Sequence, residues 1–352
     1  KRGLFFSVFF TGYFLAMVIN IICFRLDRIF YLKKRVVSLD PPVFIIGNPR
    51  SGTTYLHRLM SQDKKRFFDF HTWEIVFPSL VQKKVLSFLA KIDKAFGHPV
   101  YRIIQSSEKN ALIDYKKIHP TGLFVPEECE LLLVHIFATF YLLFLLPFDD
   151  VFEQYMKFDR MLASHEKLKI LTFYRECIHR QAVFRKTGTR LLSKSPAFSC
   201  KIDSLRQFFP GCKFIYLVRS PMEVVPSVLS MIAEIYRSSL ELPLDADIIR
   251  RTYDLTKSFY FEAIDQLENA DPSSYVIVNY EHLVKCPLDV ISSIYQTFGF
   301  SLDPEYEHFL LEENEKIRHY RSGHTYSLNQ FNLSSGQIHH DFKDIFDRFG
   351  FR

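Results

Sequence analysis

Residues 44–60 read FIIGNPRSGTTYLHRLM. The run opens as an apolar strand, turns through Gly47, Asn48 and Pro49, and launches a helix with apolar residues at helical spacing. A strand, a glycine-bounded loop and a helix in succession present a row of backbone N–H groups and the positive end of a helix dipole to an anion. The usual nucleotide-binding loop ends in Gly-Lys-Ser/Thr, with lysine on the β/γ-phosphates and the hydroxyl on magnesium. Here the order is Arg50-Ser51-Gly52-Thr53-Thr54, with no lysine. Gly47 and Gly52 allow close backbone approach, and Thr53 and Thr54 place hydroxyls in the first helical turn. Arg50 adds a fixed charge with planar donors. The competing reading is a turn before a helix, capped by Ser51.

A second strand decides the ligand class. CKFIYLVRSP, residues 212–221, ends in Arg219, with Ser227 farther along the following helix. A magnesium-dependent nucleotide enzyme usually ends this strand in Asp to help hold the metal. An arginine binds a second anion directly, so the two strand ends suit a nucleotide phosphorylated at both ends. Arg219 also has a structural reading, as a salt-bridge partner. Further strands are expected at RLLSKSP, 190–196, and SYVIVNYEHL, 274–283, with helices between. Strands alternating with helices imply a parallel sheet covered on both faces. The fold class is therefore α/β, a central parallel sheet between two layers of helices.

Composition narrows the field. The chain has 352 residues, 48% of them hydrophobic, with 37 phenylalanines, 18 tyrosines and one tryptophan. A net charge of +6 is too diffuse to point to nucleic acid, but fits an anionic ligand or membrane headgroups. Six cysteines form no CxxC pair and no metal spacing, and read as buried thiols of a reducing compartment. Leu4–Phe24 is 21 residues without a charge. As a helix it would be roughly 31 Å long, against a hydrocarbon core of about 30 Å, and reads as a membrane anchor or, alternatively, a buried core helix. The expected division is an anchor and basic collar over 1–40 and a catalytic domain over 41–352. Lys1 and Arg2 precede the apolar run, whereas Arg25, Arg28, Lys33, Lys34 and Arg35 follow it. That excess predicts a cytoplasmic catalytic domain. A second apolar run, residues 131–148, reads as deeply buried or membrane-touching.

GNPRSGTTYLHRLM together with FIYLVRSPMEVVPSVLSM resembles the 5′-phosphosulfate loop and 3′-phosphate site of sulfotransferases that use 3′-phosphoadenosine 5′-phosphosulfate (PAPS). VNYEHLVKCP, 278–287, resembles their recurring Tyr-Glu-x-Leu stretch. The resemblance runs from Pro41 to Phe300, and is to the branch containing Pro-Arg-Ser-Gly-Thr-Thr. The cytosolic steroid and phenol enzymes usually carry lysine at the position of Arg50. The resemblance implies a five-stranded or similar parallel sheet, a P-loop-like three-layer fold and metal-free sulfuryl transfer. It also implies that Gly47, Asn48, Pro49, Arg50, Ser51, Gly52, Thr53 and Thr54 hold the donor's 5′ end, and Arg219 and Ser227 its 3′-phosphate. The family's C-terminal Arg-Lys-Gly is missing, and RHYRSGHTYSLNQF, 318–331, offers Arg321 and His324 in its place.

Sulfuryl transfer gathers charge on the equatorial and leaving oxygens, so fixed donors should supply the largest contribution. Arg50 and the loop amides fit that role. Lys194, in LLSKSP, is a second candidate by similarity to the Lys-Ser/Thr-Pro stretch of glycan sulfotransferases, and is otherwise a solvated lysine at a strand end. The acceptor hydroxyl needs a base within hydrogen-bond reach. Glu74 in HTWEIVFP is the first candidate, Glu128 in VPEECE (with Glu127 and Glu130 beside it) the second, and His119 the third. The aromatic content and the apolar runs favour a hydroxylated lipid or glycolipid acceptor. A glycan acceptor, a P-loop kinase and an inactive nucleotide-binding scaffold are the alternatives.

Overall fold

The computed structural model describes residues 2–32, 38–111, 122–144, 149–186, 188–240, 243–317 and 328–351. Five strands form one parallel sheet: β1 Asp40–Gly47, β2 Phe67–Phe68, β3 Arg190–Lys194, β4 Lys213–Val218 and β5 Tyr275–Asn279. Their order is β2-β3-β1-β4-β5. β1 pairs with β3 on one side and β4 on the other, with Ile45 opposite both Lys194 and Ile215. The strands predicted at 190–196, 212–221 and 274–283 are all present.

Alternation along the strands divides the core into two layers. Phe44, Ile46, Phe214, Tyr216 and Val218 point to one face, under the helices Ser164–Arg185, Pro221–Ile235 and Ala246–Glu268. Val43, Ile45, Ile215 and Leu217 point to the other, under α2 (Thr53–Met60) and the helices Pro287–Phe298 and Pro304–Ile317. Because both faces are covered, β1 buries every residue from Val43 to Ile46 completely. The chain leaves β1 toward β2 and β3, and returns to β4 and β5 on its other side. The carboxyl ends of β1 and β4 therefore flank the crevice where parallel sheets bind ligands.

The N-terminal helix departs from the expected anchor. α1 spans Arg2–Asp27, but its later turns are bonded into the domain. Asp27 is fully buried and caps α4 (Leu80–Ala95), accepting from Ser79 Oγ at 3.0 Å, Leu80 N at 2.9 Å and Val81 N at 2.8 Å. Arg180 Nε donates to the same carboxylate at 3.0 Å. Asn20 Nδ2 meets His135 Nδ1 at 3.1 Å, and Gln82 donates to Asn20 Oδ1 at 2.6 Å. Among the described residues no helix is long and apolar enough to cross a membrane. The expectation of a spanning Leu4–Phe24 is corrected accordingly: single polar residues in an apolar run here mark a docked helix. The contacts also cross the expected boundary at residue 40.

The second apolar run is not one helix. It forms a 3-10 segment Cys129–Ile136, a left-handed Phe137 and a second 3-10 segment Phe140–Phe144; residues 145–148 lie outside the described residues. All six cysteines are free thiols, four of them buried.

Candidate active site

The loop after β1 has the backbone its sequence calls for. Gly47 has φ 136° and Gly52 φ 90°. A Cβ on Gly47 would stand 2.5 Å from the Leu217 carbonyl oxygen, and one on Gly52 2.5 Å from the Tyr280 ring. Glycine is needed at both positions for space as well as for conformation. Arg50 itself is left-handed, at φ 70°, which turns the loop into α2. Ser199 Oγ accepts from Gly47 N at 3.0 Å and fixes the end of β1.

Three polar side chains here are buried without a protein partner: Asn48 through both its amide atoms, Ser51 through Oγ and Ser220 through Oγ. Buried polar groups are normally satisfied, and leaving one unpaired costs about 1–3 kcal/mol. Two of these residues lie in the loop and the third directly follows Arg219. The loop therefore has the donors, the space and the unmet bonding capacity of an anion site.

Arg50 and Arg219 are joined. Arg219 Nη1 donates to the Arg50 carbonyl at 3.0 Å, and Arg50 Nε donates to Ser227 Oγ at 3.1 Å. Arg219 also pairs with Glu223 at 2.7 Å and lies over the Tyr280 ring, 4.3 Å from its centroid. The structure thus brings Arg50, Arg219 and Ser227 together, with Ser227 buried and engaged by Arg50. Arg321, His324 and His119 lie outside the described residues.

A cavity of about 1190 Å³ opens from this point. Its lining includes Asn48, Arg50, Gly52, Thr53, Thr54 and Arg219. It also includes apolar side chains, Leu131, Val134, Phe140 and Leu142 from the 3-10 segments and Met231 and Ile235 from the helix after β4, and charged ones such as Glu153, Arg250 and Arg251. Glu127 and Glu128 are lining residues too.

The two carboxylates belong to a buried charge cluster. Lys194, at the carboxyl end of β3, is completely buried, with Nζ 2.8 Å from Glu128 Oε1 and 3.6 Å from Glu127 Oε1. Tyr141 OH donates to the other Glu128 oxygen. Burial, and then the Glu128 charge, push the Tyr141 phenol well above its ordinary pKa, so it remains a donor. Lys194 is therefore no solvated strand-end lysine.

Glu74 is elsewhere. It is fully buried, accepts from His71 N at 2.7 Å in a capping box at the start of α3 (Thr72–Val76), and pairs with Arg185 at 2.8 Å. It does not line the cavity. Glu130 is likewise taken up by Lys201 at 2.7 Å and by Thr139. Of the acidic candidates, Glu127 and Glu128 alone reach the cavity. Three contributors were missed from sequence: Tyr280, Tyr141 and Ser199. Tyr280 sits in the recognised Tyr-Glu stretch, whereas nothing local distinguished the other two.

Residues 41–304 match the Sulfotransferase family, about three quarters of the chain. The chain belongs to that family. Over 98% of its length the sulfotransferase is 27% identical to proteins named omega-hydroxy-beta-dihydromenaquinone-9 sulfotransferase Stf3, from Mycobacterium bovis and Mycobacterium tuberculosis, covering 84% of each. Its fold matches sulfotransferase STF9 from Mycobacterium avium with a TM-score of 0.67 at 17% identity, covering 88% of this chain and 77% of that one. It matches sulfotransferase STF1 from Mycobacterium tuberculosis with a TM-score of 0.63 at 17% identity, covering 95% and 85%. The five-stranded parallel sheet expected of the family is the one observed. The enzyme is a sulfotransferase.

Proposed function

We propose that this sulfotransferase moves a sulfuryl group from PAPS to the hydroxyl of a lipid. The observation that carries the reading is the mixed lining of one cavity, which combines anion-binding groups with a set of apolar side chains. The unpartnered Asn48, Ser51 and Ser220 support a nucleotide with anionic groups at both its 5′ and 3′ ends. When bound, PAPS supplies the sulfuryl group and a good leaving anion. The loop amides, Arg50, Thr53 and Thr54 are assigned to its 5′ side, and Arg219 with Ser220 to its 3′-phosphate.

Glu128 is assigned as the base. It lines the cavity, and Lys194 and Tyr141 hold its carboxylate in place. After Glu128 takes the hydroxyl proton, Lys194 still has Glu127 as a counter-charge, so the buried ammonium is never left alone. Charge at the transferring group is compensated by Arg50 and Lys194, which makes the reading metal-independent. Glu74 is a positioning residue for α3 in this account.

The apolar lining and the relatives named for a hydroxylated menaquinone favour an acceptor with a long apolar body and a terminal hydroxyl. Incubating the enzyme with sulfur-35-labelled PAPS and total lipid extract tests the reading; label confined to water-soluble glycans would sink it. The catalytic domain is assigned to the cytoplasmic side on its free cysteine thiols, which suit a reducing compartment; the charges flanking a docked, non-spanning α1 carry no topological weight. Direct protease digestion of the domain on inverted inner-membrane vesicles is the expected result, and protection there would reverse the assignment.

A further inference from the structure

The exposed apolar surface is concentrated in one region. Of 23 exposed large hydrophobic side chains among the described residues, 18 lie between Phe14 and Ile103. Soluble proteins rarely leave apolar side chains clustered in this way unless something covers them. α4 and α5 (Pro99–Ala111) form a helical hairpin, and Asp93 accepts from Val100 N at 2.8 Å and Tyr101 N at 3.2 Å to hold its turn. Along α4 the bare residues recur at helical spacing as Val85, Phe88, Leu89 and Ile92, and lead to Phe96 at the tip, 79% exposed. Val100 and Ile103 continue the stripe on α5. α1, docked on α4 through Asn20, Gln82 and Asp27, leaves Phe14, Leu15, Val18, Ile19 and Ile22 exposed.

The charges around this surface are mainly positive. Arg25, Lys91, Lys94 and Arg102 are exposed on the same three helices; Arg28, just after α1, is exposed too but is paired with Glu176 at 2.9 Å. The acid among them on α4, Asp93, is occupied in the hairpin turn. A second copy of the chain placed on this face about a twofold axis would set these cations against one another. A bilayer with anionic headgroups would take both the apolar side chains and the cations.

We propose that α1, α4 and α5 form a monotopic docking face that lies in the headgroup region of an anionic membrane, with the hairpin tip at Phe96 inserted. The face also adjoins the cavity. Tyr13 OH donates to the Val134 carbonyl and the Tyr13 ring packs edge-on against Phe137, so α1 backs the 3-10 segment whose Leu131 and Val134 line the cavity. A membrane-held enzyme thus has that part of the cavity lining beside the lipid phase.

The test is flotation of the full chain with vesicles of phosphatidylcholine, with and without phosphatidylglycerol. Binding is the readout, so the outcome is independent of donor and acceptor identity. Phe88→Asp/Phe96→Asp should lower vesicle affinity about tenfold or more. Lys91→Glu/Lys94→Glu should lower affinity for the anionic vesicles about thirtyfold and leave the neutral ones nearly unchanged. All four side chains are exposed, so binding of adenosine 3′,5′-bisphosphate should be retained by both variants. Unchanged flotation in the phenylalanine variant would overturn the proposal, as would a stable dimer that fails to float. Equal loss on neutral and anionic vesicles in the lysine variant would overturn its electrostatic half.

Discussion

Lys194 Nζ and Glu128 Oε1 lie 2.8 Å apart at the carboxyl end of β3, and Glu128 lines the cavity that the anion loop also lines. The pair joins two segments 66 residues apart in sequence. It puts a proton acceptor and a buried cation at one place, which is what a sulfuryl acceptor site needs. Glu128→Gln should keep the shape and lose the base. Turnover should fall by about 10²–10⁴, with donor-nucleotide affinity kept.

Glu74→Gln is the matched control. It should leave turnover within a few-fold, and lower the melting temperature because Arg185 loses the nearer of its two buried carboxylate partners, Asp69 remaining at 3.4 Å. A dead Glu74→Gln that retains its stability would return the base to Glu74.

The two arginines should separate by ligand. Arg219→Ala should weaken adenosine 3′,5′-bisphosphate far more than the 5′-monophosphate, as measured by calorimetry. Equal losses would mean that its bonds to Glu223 and the Arg50 carbonyl are its whole role. Arg50→Ala should lower turnover by roughly 10²–10³, the effect of removing one pre-placed oxyanion donor.

Stability should depend on pH through His57. Burial depresses its pKa from 6.5 to about 4, despite the nearby Asp69 carboxylate; Lys194 and Glu127 act on it less strongly. Between those values the unfolded chain takes up a proton that the folded chain refuses. This contribution is therefore level above about pH 6.5 and is lost as pH falls toward 4, by about 3 kcal/mol in all. Urea midpoints at pH 7 and pH 5 should differ, and His57→Gln should flatten that difference. An unchanged slope in the variant would assign the acid sensitivity to other groups.

The parts of the site that could be read from the chain were local ones. Strand, glycines and helix of the Phe44–Met60 stretch lie within a few residues of one another, and their spacing alone requires the loop. Arg219 was legible for the same reason, as the residue that directly follows an apolar strand. Glu74 stands out in sequence because Trp-Glu precedes an apolar stretch, but its capping partner is the unusual His71 and its ion-pair partner is 111 residues away, so neither partner is legible there. Glu128 could not be chosen over Glu127 or Glu130 without knowing which lysine each faces. Lys194 and Lys201 reach them only because β3 and the segment after it fold against the 3-10 segment. The anchor reading missed Asn20 and Asp27, since one polar residue in an apolar run has no visible partner until the domain is in place.

The most direct test of the account is acceptor labelling by the purified enzyme, with sulfur-35 PAPS, a membrane lipid extract and EDTA. Label is expected in an organic-phase lipid that loses it on mild acid solvolysis of a sulfate ester, at the same rate with or without EDTA, and absent with Glu128→Gln. Label only in glycans, or turnover abolished by EDTA and restored by magnesium, would contradict it.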